Sequence, residues 1–580
     1  MADGLASALI ESNHRSENHR SGAARLRWTE GDALAPDTFA GVLGAGGFFE
    51  MVEDDVLGAR LPVFARRPRS IAATVDAAAG HGDRPFAVEG ERTITFAELP
   101  DRVRDVAARL AAGGVGRGDR VAMAGRPSLD HFLIALGTIA RGAIATVLNP
   151  AWTDDEVAHA LTTTAPALHL GEDGPRSFAD LLAGPAPAPL APDEIAVAED
   201  DPATIIFTSG TTGRPKGAVL SHRNAIHFCW SAAATNLVHR LAVPGAGTPG
   251  SENPPAVVAS APLFHMSGLL GQLVNAVTWG ITLVVPPPGR WDATTHLELT
   301  ERHRVTTWSL VPTQLWRIVD HPDLDRFDLS SLEAIGGGGA TFPPELLRRA
   351  AERLPGAGAG VRVGYGMTEA SGTLTLVLPP VSDADLASVG GATAGSEVEV
   401  RGSDGHPLPE GEVGQIWGRS AGIFRGYWGN EAATRAVFDE DRWYATGDYG
   451  RIELEGSDSG RLFVESRLRD MIIRGGENIY PIEIENRLVE HPAIVDAAVV
   501  GVPDRVLGEQ VKAFIVVAPG AVVADDEVRE WVGATLARYK VPALVERRDA
   551  LPRNALGKLN KQQLRGEDAD QPGTGAAISG

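Results

Sequence analysis

The sequence predicts an α/β protein with a large N-terminal body of parallel sheets covered by helices, a small β-barrel-like subdomain, and a smaller, mobile α+β C-terminal domain. Three observations predict this fold. Apolar strands alternate with amphipathic helices up to about residue 390, short β patterns and glycine-rich turns follow, and a compact mixed module closes the chain. Strand–helix alternation favours parallel sheets covered by helices. A chain of 580 residues has room for two large domains or several smaller ones.

Hydrophobic periodicity gives the elements of the large body. Phe86–Glu89 and Thr93–Phe96 predict a hairpin, and Ala97–Ala112 predicts a helix because its apolar residues recur at helical spacing. Thr153, with Glu156 three positions later, predicts a capped helix start. The other predicted strands and helices are Arg120–Ala124, Leu129–Ala140, Ile144–Leu148, Thr153–Thr162, Thr204–Phe207, Ala256–Ser260, Thr282–Val285 and Thr306–Leu310.

The character of the sequence changes near residue 390. The strands predicted there are Val398–Val400, Gln415–Trp417 and Arg461–Val464. The closing module has predicted helices at Glu483–Glu490 and Asp525–Leu536, and strands at Ala497–Val502 and Val511–Val517. We expect a flexible leader over residues 1–25, a large domain over 26–469, a small lid domain over 470–566 with its hinge near Asp470, and a flexible tail over 567–580.

Composition excludes several classes of protein. A hydrophobic fraction of 43% and a charged fraction of 22% exclude disordered, collagenous and coiled-coil chains. The net charge of −22 disfavours nucleic acid or an anionic membrane as a bulk partner. The single cysteine, Cys229, excludes an intramolecular disulfide, and no signal peptide or membrane span is apparent. We expect a cytoplasmic protein. Its oligomeric state is open, with a homodimer as one candidate.

The densest polar motif is Thr208–Gly217, which directly follows the apolar strand Thr204–Phe207. Its glycines allow close backbone approach, its hydroxyls can donate hydrogen bonds, and Lys216 adds positive charge, a combination that suits a polyphosphate. It is not a Walker A loop, because glycine follows Lys216. The candidate phosphate contacts are Thr208, Ser209, Gly210, Thr211, Thr212, Gly213 and Lys216.

A second motif, Gly364–Glu369, places Tyr365 between two glycines, where its flat face suits a base. In the same motif Thr368 suits a phosphate and Glu369 suits Mg²⁺, a hard cation. The third motif ends at Asp448, a carboxylate that can accept hydrogen bonds from both hydroxyls of a ribose. Each of these motifs is weak alone.

Two more segments lie near the C-terminus: Arg467–Glu485, which contains a Gly-Gly pair, and Leu551–Lys558. In this order and spacing the five segments resemble the adenylate-forming superfamily of acyl-CoA synthetases, adenylation domains and firefly-type luciferases. The resemblance extends from about Arg84 to Arg565. Pro262–His265 and Gly475–Pro481 look most like bacterial fatty-acyl and aryl CoA ligases.

The resemblance implies a two-step reaction. A carboxylate attacks the α-phosphate of ATP to give an acyl-adenylate and pyrophosphate, and the thiol of coenzyme A then displaces AMP. ATP, Mg²⁺ and coenzyme A are the implied cofactors, and a small carboxylic acid is the implied substrate.

The resemblance also assigns roles to residues. For the phosphates, Thr208–Lys216 would hold the leaving pyrophosphate, Thr368 would contact the α-phosphate, and Glu369 would bind Mg²⁺. For the nucleoside, Tyr365 would stack on adenine, Asp448 and Arg467 would fix the ribose, and Gly339 and Ala340 would contact the nucleotide. Lys558 would bridge the attacking carboxylate and the phosphate, Asp470 would be the hinge, and Gly475 and Gly476 would line the pantetheine tunnel. One departure is Glu465-Ser466 before Arg467, where the family usually has Gly or Asp immediately before the arginine.

His265 lies, by the same resemblance, near the entrance of the acyl pocket, and we count it with Lys558, Thr368 and Glu369 as a candidate catalytic residue. No aspartate follows Phe264, so an amino acid substrate is disfavoured, because its buried ammonium would lack a partner. The expected pocket walls are Trp230, Gln272, Trp308, Ser309, Gly337 and Gly338. The glycines predict room for a medium- or long-chain fatty acid or an aromatic acid, and the residues do not separate these classes.

Three alternatives stay open. An acyl-AMP ligase would load the phosphopantetheine of a carrier protein instead of CoA, but no extra segment lies between Thr446 and Arg474 to favour it. A catalytically silent nucleotide-binding scaffold would be expected to lack Lys558 or Glu369, and both are present. Nothing specific supports an oxidative light-emitting enzyme. The base of the second step is not visible, and residues 26–83 receive no function.

Overall fold

The structure is a computed structural model. It describes residues 24–27, 42–171, 176–185, 187–188, 190, 196–208, 215–242, 254–337, 342–354, 361–377, 388–454, 460–467, 470–474, 477–504, 506–553 and 559–569. The side chains of 239, 240, 242, 344, 361, 466, 467, 477, 478 and 566–569 are outside the description. Most of the predicted leader and of the predicted tail lies outside the described residues. The last two leader residues, 24 and 25, are described, and Arg25 begins a strand, so this part of the leader is ordered into the fold.

Two large sheets form the body, as the strand–helix alternation predicts. In the nine-stranded sheet the order is Gly391–Ala392, Thr375–Val377, Val361–Tyr365, Ala334–Gly337, Thr307–Leu310, Ala256–Val258, Thr282–Val284, Pro85–Glu89 and Arg92–Thr95. In the six-stranded sheet it is Gly426–Tyr427, Lys216–Ser221, Pro202–Thr208, Ile144–Leu148, Arg120–Ala124 and Leu168–Gly171. The central strands of both sheets pair in parallel, and antiparallel pairs occur towards the edges.

Helices cover the sheets. Those of the body are Ile71–Ala78, Leu99–Ala112, Leu129–Ala140, Asp154–Thr164, Phe178–Leu182, His222–Ala242, Met266–Gly268, a π-helical turn Leu269–Val274, Asn275–Trp279, Ala293–His303, Pro312–Val319 and Pro344–Arg353, with shorter turns at Ala79–His81, Leu324–Arg326 and Thr368–Ala370. Thr153 and Glu156 form the predicted capping box. None of the helices within the described ranges is long and apolar enough to cross a membrane.

The predicted β subdomain is a five-stranded antiparallel sheet. Its order is Arg25–Arg27, Ser396–Arg401, Gly414–Ser420, Tyr444–Glu453 and Arg461–Arg467, with the helix Glu431–Arg435 alongside. No pairing joins its first and last strands in the described part of the chain. The first strand comes from the N-terminus, since Leu26 lies opposite Val398, an arrangement that the sequence pattern did not predict. Nearby, Met51–Val56 and Ala59–Phe64 form a separate hairpin.

The C-terminal module is the predicted α+β unit. Its strands are Ile472–Arg474, Glu477–Ile479, Ile494–Asp504, Gly508–Val517 and Leu544–Arg547, and its helices are Pro481–Val489, Asp525–Gly533 and Lys561–Ala569, with a short turn at Arg538–Lys540. Two hydrophobic clusters contain only residues from Ile472 onwards, so the module has a core of its own.

Candidate active site

Two residues predicted to hold a nucleoside are in direct contact. Tyr365 ends the strand Val361–Tyr365, and its hydroxyl donates a hydrogen bond of 2.8 Å to Oδ2 of Asp448. Both residues are buried. The backbone of Arg467 lies directly opposite Asp448 on the neighbouring strand. The structure therefore brings together three predicted site residues from separate motifs.

Gly366 explains why glycine follows Tyr365. A Cβ at this position would overlap the backbone carbonyl of Gly372, so the turn that carries Thr368 and Glu369 can form only with glycine here. The turn brings both residues to buried positions directly after the strand.

Glu369 lies beside the predicted phosphate segment. Its Oε1 accepts a hydrogen bond from the Thr208 hydroxyl at 3.1 Å and another from the Tyr427 hydroxyl at 3.0 Å. Lys216 pairs with Thr208 across antiparallel strands, and its Nζ lies 5.1 Å from the centre of the Tyr427 ring. One described end of the segment, Thr208, thus contacts Glu369, and the other, Lys216, lies beside Thr208 and Tyr427. The predicted contacts Ser209, Gly210, Thr211, Thr212 and Gly213 lie outside the described residues.

The donor set around Glu369 fits Mg²⁺. No described lysine, arginine or histidine forms an ion pair with this buried carboxylate, and leaving a buried charge unpaired is costly. Mg²⁺ prefers oxygen ligands and is commonly held by one or two carboxylates together with substrate phosphates. No group of three or more acidic, histidine or cysteine side chains capable of holding a metal occurs in the described ranges. A cation at Glu369 would therefore depend on the phosphates of a nucleotide.

Tyr427 and Tyr444 surround the same carboxylate. Burial, reinforced by the negative charge of Glu369, raises the pKa of both phenols well above the ordinary tyrosine value. Both tyrosines are therefore neutral hydrogen-bond donors at physiological pH. The sequence analysis missed them, although Tyr427 stands in a Gly-Tyr-Trp-Gly segment much as Tyr365 stands between glycines.

Family models match this chain in two stretches. Residues 75–428 match the family of AMP-binding enzymes, and residues 483–558 match the AMP-binding enzyme C-terminal domain. The chain belongs to the AMP-binding enzyme family. The first match covers more than half of the chain, and the second lies within the C-terminal module.

Relatives of this AMP-binding enzyme include CoA ligases. It is 36% identical over 490 residues to the feruloyl-CoA synthase of an Amycolatopsis species, an alignment that covers 82% of this chain and 94% of the relative. It is 33% identical over 493 residues to a long-chain-fatty-acid–CoA ligase of Mycobacterium tuberculosis, covering 81% and 92%. The structure of o-succinylbenzoate CoA synthetase from Bacillus subtilis in complex with AMP matches with a TM-score of 0.73 at 29% identity, covering 85% and 98%. The chain is an AMP-forming carboxylate–CoA ligase, and it uses ATP, Mg²⁺ and coenzyme A.

In this AMP-binding enzyme the structure contradicts the predicted pocket wall Trp308 and the open space expected at Gly337. Trp308 is fully buried in a cluster with the helices Ala293–His303, Pro312–Val319 and Pro344–Arg353. Its indole N–H donates to Thr300 Oγ1 at 2.9 Å. Neighbouring strand residues point to opposite faces, so Trp308 and Ser309 cannot both face one pocket. Gly337 does not leave space for an acyl group on the side of its missing side chain, because a Cβ there would overlap the ring of Phe342. Gly338, Gly339 and Ala340 lie outside the described residues.

Trp230 is also a core residue. Its ring stacks on Phe48 at 5.3 Å and packs edge-on against Phe49, in a cluster formed between its own helix and the N-terminal segment. Residues two apart on a helix point in nearly opposite directions, about 200° apart. The helix accordingly directs Phe228, not Trp230, towards Gly372 and Met266, where a Cβ on Gly372 would touch both side chains.

His265 and Gln272 lie close in sequence to Met266. His265 Nδ1 lies 3.2 Å from the backbone nitrogen of Ser267 and 2.8 Å from the Ser267 hydroxyl oxygen. Gln272 is buried, and its amide bonds the backbone of Ala261 at 3.2 Å and of Val258 at 3.1 Å. Gln272 therefore bonds the backbone at the end of the strand Ala256–Val258, and both the oxygen and the nitrogen of its amide have partners within the protein.

The corrected position of Trp308 is testable. We expect Trp308→Phe to lower the free energy of unfolding by about 1–3 kcal/mol, because it leaves a cavity and removes the bond to Thr300. The relative kcat/KM values for different acids should not change. Chemical denaturation and a panel of acids would measure both. Ser309→Val, on the opposite face of the strand, is the matched contrast. A change in acid preference for Trp308→Phe at unaltered stability would return Trp308 to the pocket.

Proposed function

We propose that this enzyme activates an apolar carboxylic acid, aromatic or medium- to long-chain aliphatic, as its adenylate and transfers the acyl group to coenzyme A. The contact of Thr208 with Glu369 carries the residue assignments, because it joins the predicted phosphate segment to the predicted metal ligand. The neighbouring contact between Tyr365 and Asp448 supports a nucleoside site alongside.

In the first step the substrate carboxylate attacks the α-phosphorus of ATP, and the bond to the pyrophosphate oxygen breaks. Thr208 and Lys216 hold the leaving pyrophosphate, and Thr368 contacts the α-phosphate. Tyr365 stacks on adenine, while Asp448 and Arg467 hold the ribose. Glu369 binds Mg²⁺, which neutralises phosphate charge when it is bound.

We assign the remaining roles from sequence. Lys558 places a cation between the attacking carboxylate and the phosphate, and Gly475 and Gly476 give room to the pantetheine arm. All three lie outside the described residues. Asp470 is the proposed hinge between a large domain over 26–469 and a lid over 470–566.

The single, buried Cys229 supports a cytoplasmic location, since no intramolecular disulfide can form.

An apolar acid is supported by the side chains around the turn that follows Glu369. Phe228 and Met266 approach Gly372 there, and both are apolar. The relatives include ligases named for an aromatic acid and for long-chain fatty acids, so both classes stay within the proposal.

The first test is pyrophosphate release across a panel of aromatic, medium-chain and long-chain acids, with ATP and Mg²⁺, with and without CoA. We expect turnover that CoA stimulates, concentrated on one class of apolar acid. Stimulation by a carrier protein and not by CoA would replace the acceptor. No release with any acid would favour a silent nucleotide-binding scaffold.

A further inference from the structure

We infer that Tyr427 is a positioning residue for the reaction: its hydroxyl fixes the orientation of the Glu369 carboxylate so that the second oxygen, Oε2, is presented to the cation. The inference rests on the proposed role of Glu369 as the metal ligand. Neither the family comparisons nor the sequence motifs assign any function to Tyr427.

The segment Phe424–Trp428 is held between Glu369 and the phosphate strand. Its first residue donates its backbone N–H to the Glu369 carbonyl at 2.8 Å. Its last residue donates its backbone N–H to the Gly217 carbonyl at 2.8 Å, immediately after Lys216. Tyr427 lies opposite Ala218 in the antiparallel pairing between these strands. Backbone hydrogen bonds to Glu369 on one side and to Gly217 on the other thus hold the segment that carries Tyr427, independently of the contacts of its side chain.

The hydroxyl of Tyr427 bonds only one of the two carboxylate oxygens of Glu369. Glu369 Oε1 accepts bonds from Tyr427 at 3.0 Å and from Thr208 at 3.1 Å, which uses both of its lone-pair directions. No donor in the described part of the chain bonds Oε2. The two hydroxyls therefore select which carboxylate oxygen is left for a cation, and they prevent the carboxylate from rotating.

The ring of Tyr427 orients a second group. Lys216 Nζ lies over its face at 5.1 Å, a distance at which a cation is attracted to an aromatic ring. One side chain thus contacts the carboxylate that would bind the metal and the lysine that would bind the pyrophosphate.

A purely structural role is the competing explanation, since the ring also packs edge-on against Phe424 at 4.9 Å. Tyr427→Phe separates the two roles, because it keeps the ring and its packing and removes only the hydroxyl. Tyr539→Phe is the matched control: it removes a hydroxyl from a half-buried tyrosine of the C-terminal module.

The test measures Mn²⁺ binding to the full-length protein by electron paramagnetic resonance, in the presence of a non-hydrolysable ATP analogue. Removing a group that orients a metal ligand typically costs 10–100-fold in metal affinity. We expect Tyr427→Phe to weaken Mn²⁺ binding by about tenfold or more, and Tyr539→Phe to leave it unchanged. Glu369→Gln should remove the nucleotide-dependent site.

The outcomes separate the inference from the function on which it rests. If Glu369→Gln removes the site while Tyr427→Phe binds Mn²⁺ like the native protein, the inference about Tyr427 is wrong and the role of Glu369 stands. If the native protein shows no nucleotide-dependent Mn²⁺ site, both fail. A second readout is kinetic: Tyr427→Phe should slow acyl-adenylate formation and spare thioester formation from supplied acyl-adenylate. Equal slowing of both steps would contradict the inference.

Discussion

Lys558→Ala is expected to slow acyl-adenylate formation from acid and ATP by about 10²–10³-fold, while thioester formation from supplied acyl-adenylate stays within a few-fold of the native rate. The carboxylate and the α-phosphate are both negative, so their approach needs a cation placed between them. Removing one group that stabilises developing charge typically costs about 10²–10³-fold in rate. In the second step the acid is already activated, so this cation is no longer needed. Rapid-quench measurement of each half-reaction would show the split.

Lys561→Ala is the matched control for Lys558→Ala. Lys561 lies three residues further on, and its Nζ pairs with Glu485 at 2.6 Å, so its charge is engaged within the C-terminal module. Its loss should leave the ratio of the two half-reactions unchanged. If Lys558→Ala instead slows both half-reactions equally, the lysine acts on folding or on general binding, and the assigned role is wrong.

Asp470→Pro is expected to suppress thioester formation by on the order of 10²-fold while preserving adenylation, because small errors in the placement of reacting groups have effects of this size. Proline fixes φ near −65°, and a hinge whose φ is fixed cannot rotate the lid between the two half-reactions. Release of pyrophosphate without CoA, compared with thioester formation from supplied adenylate, would measure the two steps separately.

The control for this variant comes from the ion pair that Asp470 makes. Its Oδ1 accepts a bond from Arg565 Nη1 at 3.1 Å, and Asp470→Pro removes that pair as well as fixing the backbone. Arg565→Gln removes the same pair and leaves the hinge free. Equal effects of the two variants on thioester formation would assign the loss to the ion pair, and the hinge would then lie elsewhere.

Most of the fold could be predicted from local sequence. Arg120–Ala124, Leu129–Ala140 and Ile144–Leu148 have the predicted bounds, because a strongly apolar periodic segment specifies its own secondary structure. The strand Arg25–Arg27 could not be predicted, because its pairing depends on Ser396–Arg401, far along the chain. The predicted domain boundaries and most site roles stay predictions.

The errors in the pocket have a common physical origin. Trp308 and Trp230 were chosen by residue type, but a large aromatic side chain is placed by the face that its strand or helix turns to the core. The alternation of Thr307–Leu310 could have excluded Trp308. Tyr427 could not have been found this way, because its contact with Glu369 joins residues 58 positions apart through a sheet edge.

The pairing of the N-terminal strand also has a consequence for synthesis. Arg25 and its partner Glu399 are 374 residues apart, so the strand leaves the ribosome long before its partner exists. At about 5–20 residues per second the delay is roughly 20–75 s. An unpaired strand is an aggregation hazard for that time, and charged side chains on a strand reduce the hazard. Arg25 and Arg27, which flank Leu26, are charges of the kind that reduce this hazard, and in the folded protein they pair with Glu397 and Glu399.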